Sequence, residues 1–231
     1  GGRSVLRPAC PRADRLAASG DELDRLLVEA RPLLSSARDA RPRPALDDKR
    51  LTGWNGMAAW ALAHFGAVTS DPHTLAAAQR AGRFLLERVQ GALPVQRSWQ
   101  DGVASGVETL EDVAWAIAGL LALFEADAEP AWLATALGLA DQRVPRYLSA
   151  DGAAFDTPDD GERLVVRPRN AADGATPSSA GILAAALIRL AAIAGRPDLR
   201  ARAERIVAAE RGSLARYPEG HAALLEAAAS L

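Results

Sequence analysis

Three segments of helical length carry almost no charge. Trp54–Thr69 and Val113–Phe124 contain no Lys, Arg, Asp or Glu, and Ser178–Ala194 contains only Arg189. A helix that is apolar on every side has to be buried, whereas one with a single apolar stripe lies against solvent. The three segments recur at a spacing of roughly 60 residues, within the range of repeat architectures. Between and around them, Asp21–Ala40, Thr74–Gln90 and Asp198–Gly212 are charged along one face. Buried and half-exposed helices therefore alternate. That pattern predicts an all-α fold of the α/α-toroid kind, in which each hairpin gives one helix to an inner ring and one to an outer ring. A plain helical bundle is the alternative, and it requires one apolar stripe per helix.

The predicted helices span Asp21–Ala40, Trp54–Thr69, Thr74–Gln90, Thr109–Ala126, Ala131–Leu148, Pro177–Ala194, Asp198–Gly212 and Pro218–Leu231. Thr52 stands ahead of the second, and Thr109-x-x-Asp112 has the form of a capping box. Thr176-Pro177 offers a cap followed by proline at the first helical position, and Gly195 with Pro197 ends the sixth helix. Leu93–Gly106 and Ala153–Arg167 read as short β-hairpins, the second with Asp-Gly at its turn and Leu-Val-Val after it. The composition suits helices: 49% of residues are hydrophobic but only 5% aromatic, so alanine and leucine fill the core.

Charge and cysteine usage narrow the function. A net charge of -2 offers no basic surface for nucleic acid. No apolar run reaches the ~18 residues of a membrane span. The one cysteine, Cys10, can form no internal disulfide, which fits a reducing, cytoplasmic compartment. No cluster has metal-ligand spacing, and no cofactor motif is present; Gly102 and Gly106 do not make a phosphate loop.

In a toroid the inner helices run in one direction, so their N-termini gather at one mouth. The polar residues ahead of those N-termini are then the candidate site. Asp48, Glu111 and Asp173 are the candidate catalytic carboxylates, of the type used as acid and base on a glycosidic bond. Asp48 also suits a helix dipole, but the adjacent Lys49 gains nothing there. Lys49 and Asn55 are candidates for holding hydroxyls, with Trp54 and Trp99 as stacking surfaces for a sugar ring. Arg97, Asp112, Thr176, Ser178 and His221 complete the candidate binding set, with His221 as the one candidate histidine base. His221 is the histidine nearest an inner N-terminus. His64 reads as a satisfied mid-helix residue.

The segments RPRPALDDKRLTGWNG, LEDVAWAIAGLLALFEA and FDTPDDGERLVVRPRNAADGATPSS resemble, in that order, the spermatogenesis-associated, YyaL-type thioredoxin-domain-containing proteins. That resemblance implies a thioredoxin-like domain followed by an (α/α)6 toroid, similar to six-hairpin glycosidases and sugar 2-epimerases. Residues 1–231 would be a single toroid domain, incomplete on its N-terminal side, since a closed ring of six hairpins needs more than the eight helices predicted. The family's Leu-Glu-Asp-Tyr reads Leu110-Glu-Asp-Val113 here, and its Pro-Ser-Gly-Asn reads Pro177-Ser-Ser-Ala180. The implied function is a carbohydrate-active or carbohydrate-binding domain with a sugar ligand, hydrolase-like more than epimerase-like. The alternative is a binding or scaffold domain that serves a thioredoxin-like redox partner. An open arc should also expose apolar surface and limit solubility.

Overall fold

The computed structural model describes residues 12–89 and 96–231. Cys10, Gln90 at the end of the third predicted helix, and positions 93–95 of the first predicted hairpin lie outside the described residues. The chain divides into two compact units, Gly1–Asp47 and Asp48–Leu231. The first contains α1 (Arg12–Asp39), which starts earlier than its charge pattern predicts and has Pro32 within it. Leu26, Leu33 and Leu34 are exposed on this helix.

The second unit holds β1 (Arg50–Leu51), α2 (Thr52–Thr69), α3 (Pro72–Val89), β2 (Gln96–Gln100), β3 (Val103–Val107), α4 (Leu110–Asp127) and α5 (Pro130–Gln142). It continues with α6 (Ser179–Ala194), α7 (Pro197–Ala209), α8 (Arg211–Arg216) and α9 (Ala222–Ala229). Helices α2, α4, α6 and α9 are neighbours in series. Each of α3, α5 and α7 packs across a consecutive pair of them. This is the inner and outer layering of an α/α toroid, present as an arc.

Helix α4 sits at the centre, and every residue from Leu110 to Leu123 is buried apart from Glu111. Helix α2 meets it through glycine. A Cβ on Gly56 would come within 2.4 Å of the Trp115 carbonyl oxygen, and one on Gly119 within 2.5 Å of the Gly56 carbonyl oxygen. The two backbones approach so closely that no side chain fits between them. The buried stripe of α2 is accordingly small (Gly53, Gly56, Ala59, Ala63, Gly66), while Trp54, Phe65 and Val68 face outward. Its lack of charge does not mean burial on all sides. Leu183, Leu187 and Leu190 of α6 are fully buried, each contributing about 1.5–3 kcal/mol.

Several predicted boundaries move for local reasons. Thr52 does not cap α2. It is the first helical residue, and its hydroxyl donates to the Gln96 carbonyl at 2.7 Å. Ser178, not Thr176, caps α6 and accepts from Gly181 N–H at 3.3 Å. The fifth predicted helix ends at Gln142 and passes into a 3-10 turn, Val144–Tyr147, because Pro145 disfavours a continued α-helix. The seventh breaks at Glu210 into α7 and α8, and the eighth starts as a 3-10 turn, Pro218–Gly220.

The first hairpin forms, with Trp99 opposite Ala104 and β1 added on the other edge of β2. Its turn residues, Asp101 and Gly102, both have positive φ, as a tight two-residue hairpin turn requires. The second predicted hairpin does not form. Residues 153–167 make an irregular loop closed at its base by Asp156 N–H donating to the Pro168 carbonyl at 2.9 Å. Val165 and Val166 are exposed. Arg167 stacks on Phe155, 4.2 Å from the ring centroid, and donates to the Thr157 carbonyl, so side chains hold the loop in place of a strand ladder.

Candidate functional site

Two aspartates tie the inner N-termini together. Asp112, buried in the first turn of α4, accepts Gly53 N–H from α2 on Oδ1 at 2.9 Å. Its Oδ2 accepts the Thr109 N–H and hydroxyl, each at 2.9 Å. Asp173 does the same on the other side, accepting Ser178 N–H at 2.8 Å and Ala223 N–H of α9 at 3.0 Å. Burial alone would raise the pKa of Asp173. The amides of Ser178 and Ala223 outweigh it and hold the carboxyl below its usual value.

Between these two staples, where α4 and α6 begin, lies a cleft of about 320 Å³. Arg97, Glu111, Asp156, Asn170, Thr176 and Ser178 are among its lining residues. Arg97 reaches across from β2 and donates to Thr109 Oγ1 at 2.6 Å, Asp112 Oδ2 at 3.2 Å and Glu111 Oε2 at 3.0 Å. One oxygen of Glu111 is thereby held, and its other accepts nothing among the described residues. Asp156 lines the same cleft. Burial raises its pKa, the Asn170 N–H partly offsets this, and the negative charge of Glu111 raises it further. The cleft thus pairs a carboxylate bound to an arginine with one whose proton affinity is raised by burial.

The loop carrying Asp156 is anchored from below. Its carbonyl accepts Leu110 N–H at 3.0 Å, which places it against the start of α4. Arg146 joins the buried Glu108, at 2.9 Å, to Asp160, at 2.6 Å. Burial raises the Glu108 pKa in spite of Arg143 and Arg146, and one of its oxygens is buried without a partner.

The predicted site residues divide among several places. Glu111, Arg97, Thr176 and Ser178 line the cleft, and Asp112 lies just behind it. Asp173 has both oxygens engaged by backbone amides. Asp48 lines a separate cleft with Trp99, and its Oδ1 accepts from Gln100 Nε2 at 2.7 Å. Lys49 is exposed beside β1. Asn55 donates to the Leu51 carbonyl at 2.8 Å and thereby serves the start of α2. Trp54 is exposed and lines neither cleft. One face of Trp99 is covered by the Arg88 guanidinium, 4.2 Å from the ring centroid. His221 is buried, with Nδ1 2.8 Å from the Tyr217 carbonyl, an atom that can only accept, so Nδ1 carries the proton. Asp156 escapes sequence reasoning because it sits in an irregular loop. The available signal is its place in FDTPDDG, within one of the segments that carry the family resemblance. Among the described residues no group of His, Cys, Asp and Glu could hold a metal ion. Among the described residues no helix is long and apolar enough to cross a membrane.

No family model matches the chain. Human spermatogenesis-associated protein 20 is 32% identical over 177 residues, covering 71% of this chain. The chain spans only 22% of that protein's length. The GH76 α-mannanase of Bacteroides thetaiotaomicron superposes with a TM-score of 0.59 at 19% identity, over 75% of this chain and 46% of the mannanase. Cellobiose 2-epimerase of Spirochaeta thermophila gives 0.57 at 18% identity, over 71% and 43%. At these identities the structural likeness establishes the fold alone. In sequence, then, the chain is homologous to spermatogenesis-associated protein 20 over 71% of its length, and in fold it is an arc of a six-hairpin-glycosidase-like α/α toroid.

Proposed function

We propose that the cleft at the inner N-termini is an acid–base site acting on a carbohydrate. The observation that carries this reading is the pairing of two carboxylates in one cleft, Glu111 bound by Arg97 and Asp156 with its pKa raised by burial. A carboxyl that keeps its proton more readily suits the role of acid, and an arginine-paired carboxylate suits that of base. In hydrolysis, Asp156 gives its proton to the departing glycosidic oxygen. Glu111 takes a proton from the water that attacks the anomeric carbon, and the net change is addition of water. Arg97 orients Glu111, while Thr176 and Ser178 offer hydroxyls to the sugar. Asp112 and Asp173 act as positioning residues through the backbones they staple. Asp48 belongs to the neighbouring cleft rather than to the reacting centre.

The fold of the mannanase and the epimerase supports a sugar as ligand, and a cleft of about 320 Å³ is at the small end of ligand sites. Hydrolysis is favoured over epimerisation because the candidate acid and base are both carboxylates and His221 is committed to the backbone. The single cysteine supports a reducing, cytoplasmic setting. A thioredoxin-like domain is the partner expected in the longer protein, on the family resemblance. The test is a panel of aryl glycosides and disaccharides. Turnover should fall about 10²–10⁴-fold in both E111Q and D156N. No turnover on any sugar, or variants as active as the parent, would overturn the reading.

A further inference from the structure

A second cleft, of about 190 Å³, opens beside the first. Asp48, Arg50, Phe84, Arg88, Trp99 and Asp101 are among its lining residues. Arg97 of the first cleft and Trp99 of the second are two residues apart on β2. They project from one face of the sheet, about 6.6 Å from each other along the strand.

Arg88 is the unusual member. It is partly buried at the end of α3, yet it makes no hydrogen bond or ion pair with any described residue. Its contacts are aromatic, with the guanidinium carbon 4.2 Å from the Trp99 ring centroid and 5.7 Å from that of Phe84. Such stacking fixes the guanidinium plane and leaves its N–H edges to meet acceptors lying in that plane. Its Nε and the Nε1 of Trp99 are both buried without a partner. A buried donor with no acceptor carries a desolvation cost, which a bound acceptor would remove. Arg50, opposite Trp99 in the strand register, adds a second cation. Neither Asp48 nor Asp101 forms an ion pair with either arginine, and Asp48 is engaged by the Gln100 amide.

We propose that this cleft binds an oxyanion carried by a ligand, a carboxylate or a sulfate, with Arg88 as the principal cation and Arg50 as the second. An oxyanion offers acceptors only, and the planar fork of a stacked arginine matches it in two places. Binding here requires neither Glu111 nor Asp156, so the inference stands or falls apart from the acid–base reading.

The test follows the indole N–H of Trp99 by ¹⁵N NMR, assigned with W99F, as glucuronate, inorganic sulfate or glucose is added to the 231-residue chain. Glucuronate or sulfate should shift the resonance saturably, and glucose should not. Saturation by glucuronate alone assigns a carboxylate, by sulfate alone a sulfate, and by both a general oxyanion site. R88Q should weaken binding about tenfold or more, and R50Q by less. E111Q should leave the affinity unchanged. No saturable shift with either anion would overturn the proposal. So would an R88Q protein that melts like the parent and binds as tightly, or an equal response to glucose.

Discussion

At the scale of single residues, the buried and half-buried acids around the mouth differ in what they hold. Asp112 serves two helix starts and an arginine, so removing it leaves several buried donors unpaired. D112A should lose about 3–5 kcal/mol of stability, read from urea unfolding, against roughly 1–2 kcal/mol for D173A, whose partners are two backbone amides. Equal costs would mean that Asp112 is not the tie between α2 and α4. Glu108 bears on pH. Its pKa is raised by burial, so its contribution to stability is fully present below its unfolded value of 4.5. That contribution is lost as pH rises through the folded value. The stability of the parent relative to E108Q should therefore decline as pH is raised from 4.5 towards neutrality. A flat difference over that window would contradict the direction of the shift.

Residue identities read well where local chemistry decides. The Thr109–Asp112 pair marks the start of α4, and Gly195 the end of α6. Trp99 was less legible, because a tryptophan in a polar hairpin invites a stacking role and nothing in the sequence indicates Arg88 lying on its face. Asp156 was missed because its position depends on contacts with Leu110, Pro168 and Asn170, which no local pattern records.

At the scale of elements, the lack of charge in α2 and in Val113–Phe124 of α4, and the lone Arg189 of α6, correctly mark the inner layer. It does not tell how much of each helix is covered. Helix α4 is buried on nearly every side, while α2 buries a stripe of glycine and alanine and leaves its larger side chains outside. The failed hairpin at 153–167 has a similar cause. Asp-Gly and Leu-Val-Val are strand-like locally, but Asp160 is held by Arg146 and Arg167 by Phe155, so the loop is fixed by long-range side-chain contacts. The α2–α4 contact supplies a prediction. G119A places a Cβ where only 2.5 Å is available to the Gly56 carbonyl, and overpacking of this kind should cost about 1–3 kcal/mol in thermal or urea unfolding. G138A, where a Cβ meets nothing within 4 Å, should be neutral or slightly stabilising. A G119A protein as stable as G138A would show that the helices are further apart than described.

At the scale of the molecule, the arc leaves apolar surface uncovered. Trp54, Phe65 and Val68 are 60%, 57% and 86% exposed along one side of α2. A contiguous stripe of that kind favours self-association. Sedimentation velocity should show concentration-dependent association of the 231-residue chain, reduced in a W54S/F65S/V68S variant. Monomer at all concentrations for both would contradict it. The toroid character was legible from the alternation of helix types, but how the four inner N-termini are joined was not. Two aspartates complete that arrangement, and the cleft between them is where the account places its chemistry.

The most direct measurement is therefore the titration of the Asp156 carboxyl, followed by ¹³C NMR in the parent and in E111Q. The account predicts a midpoint above the ordinary aspartate value of 3.8 in the parent and a fall when the Glu111 charge is removed. An Asp156 that titrates at or below 3.8, or one indifferent to E111Q, would contradict the pairing on which the proposed function rests.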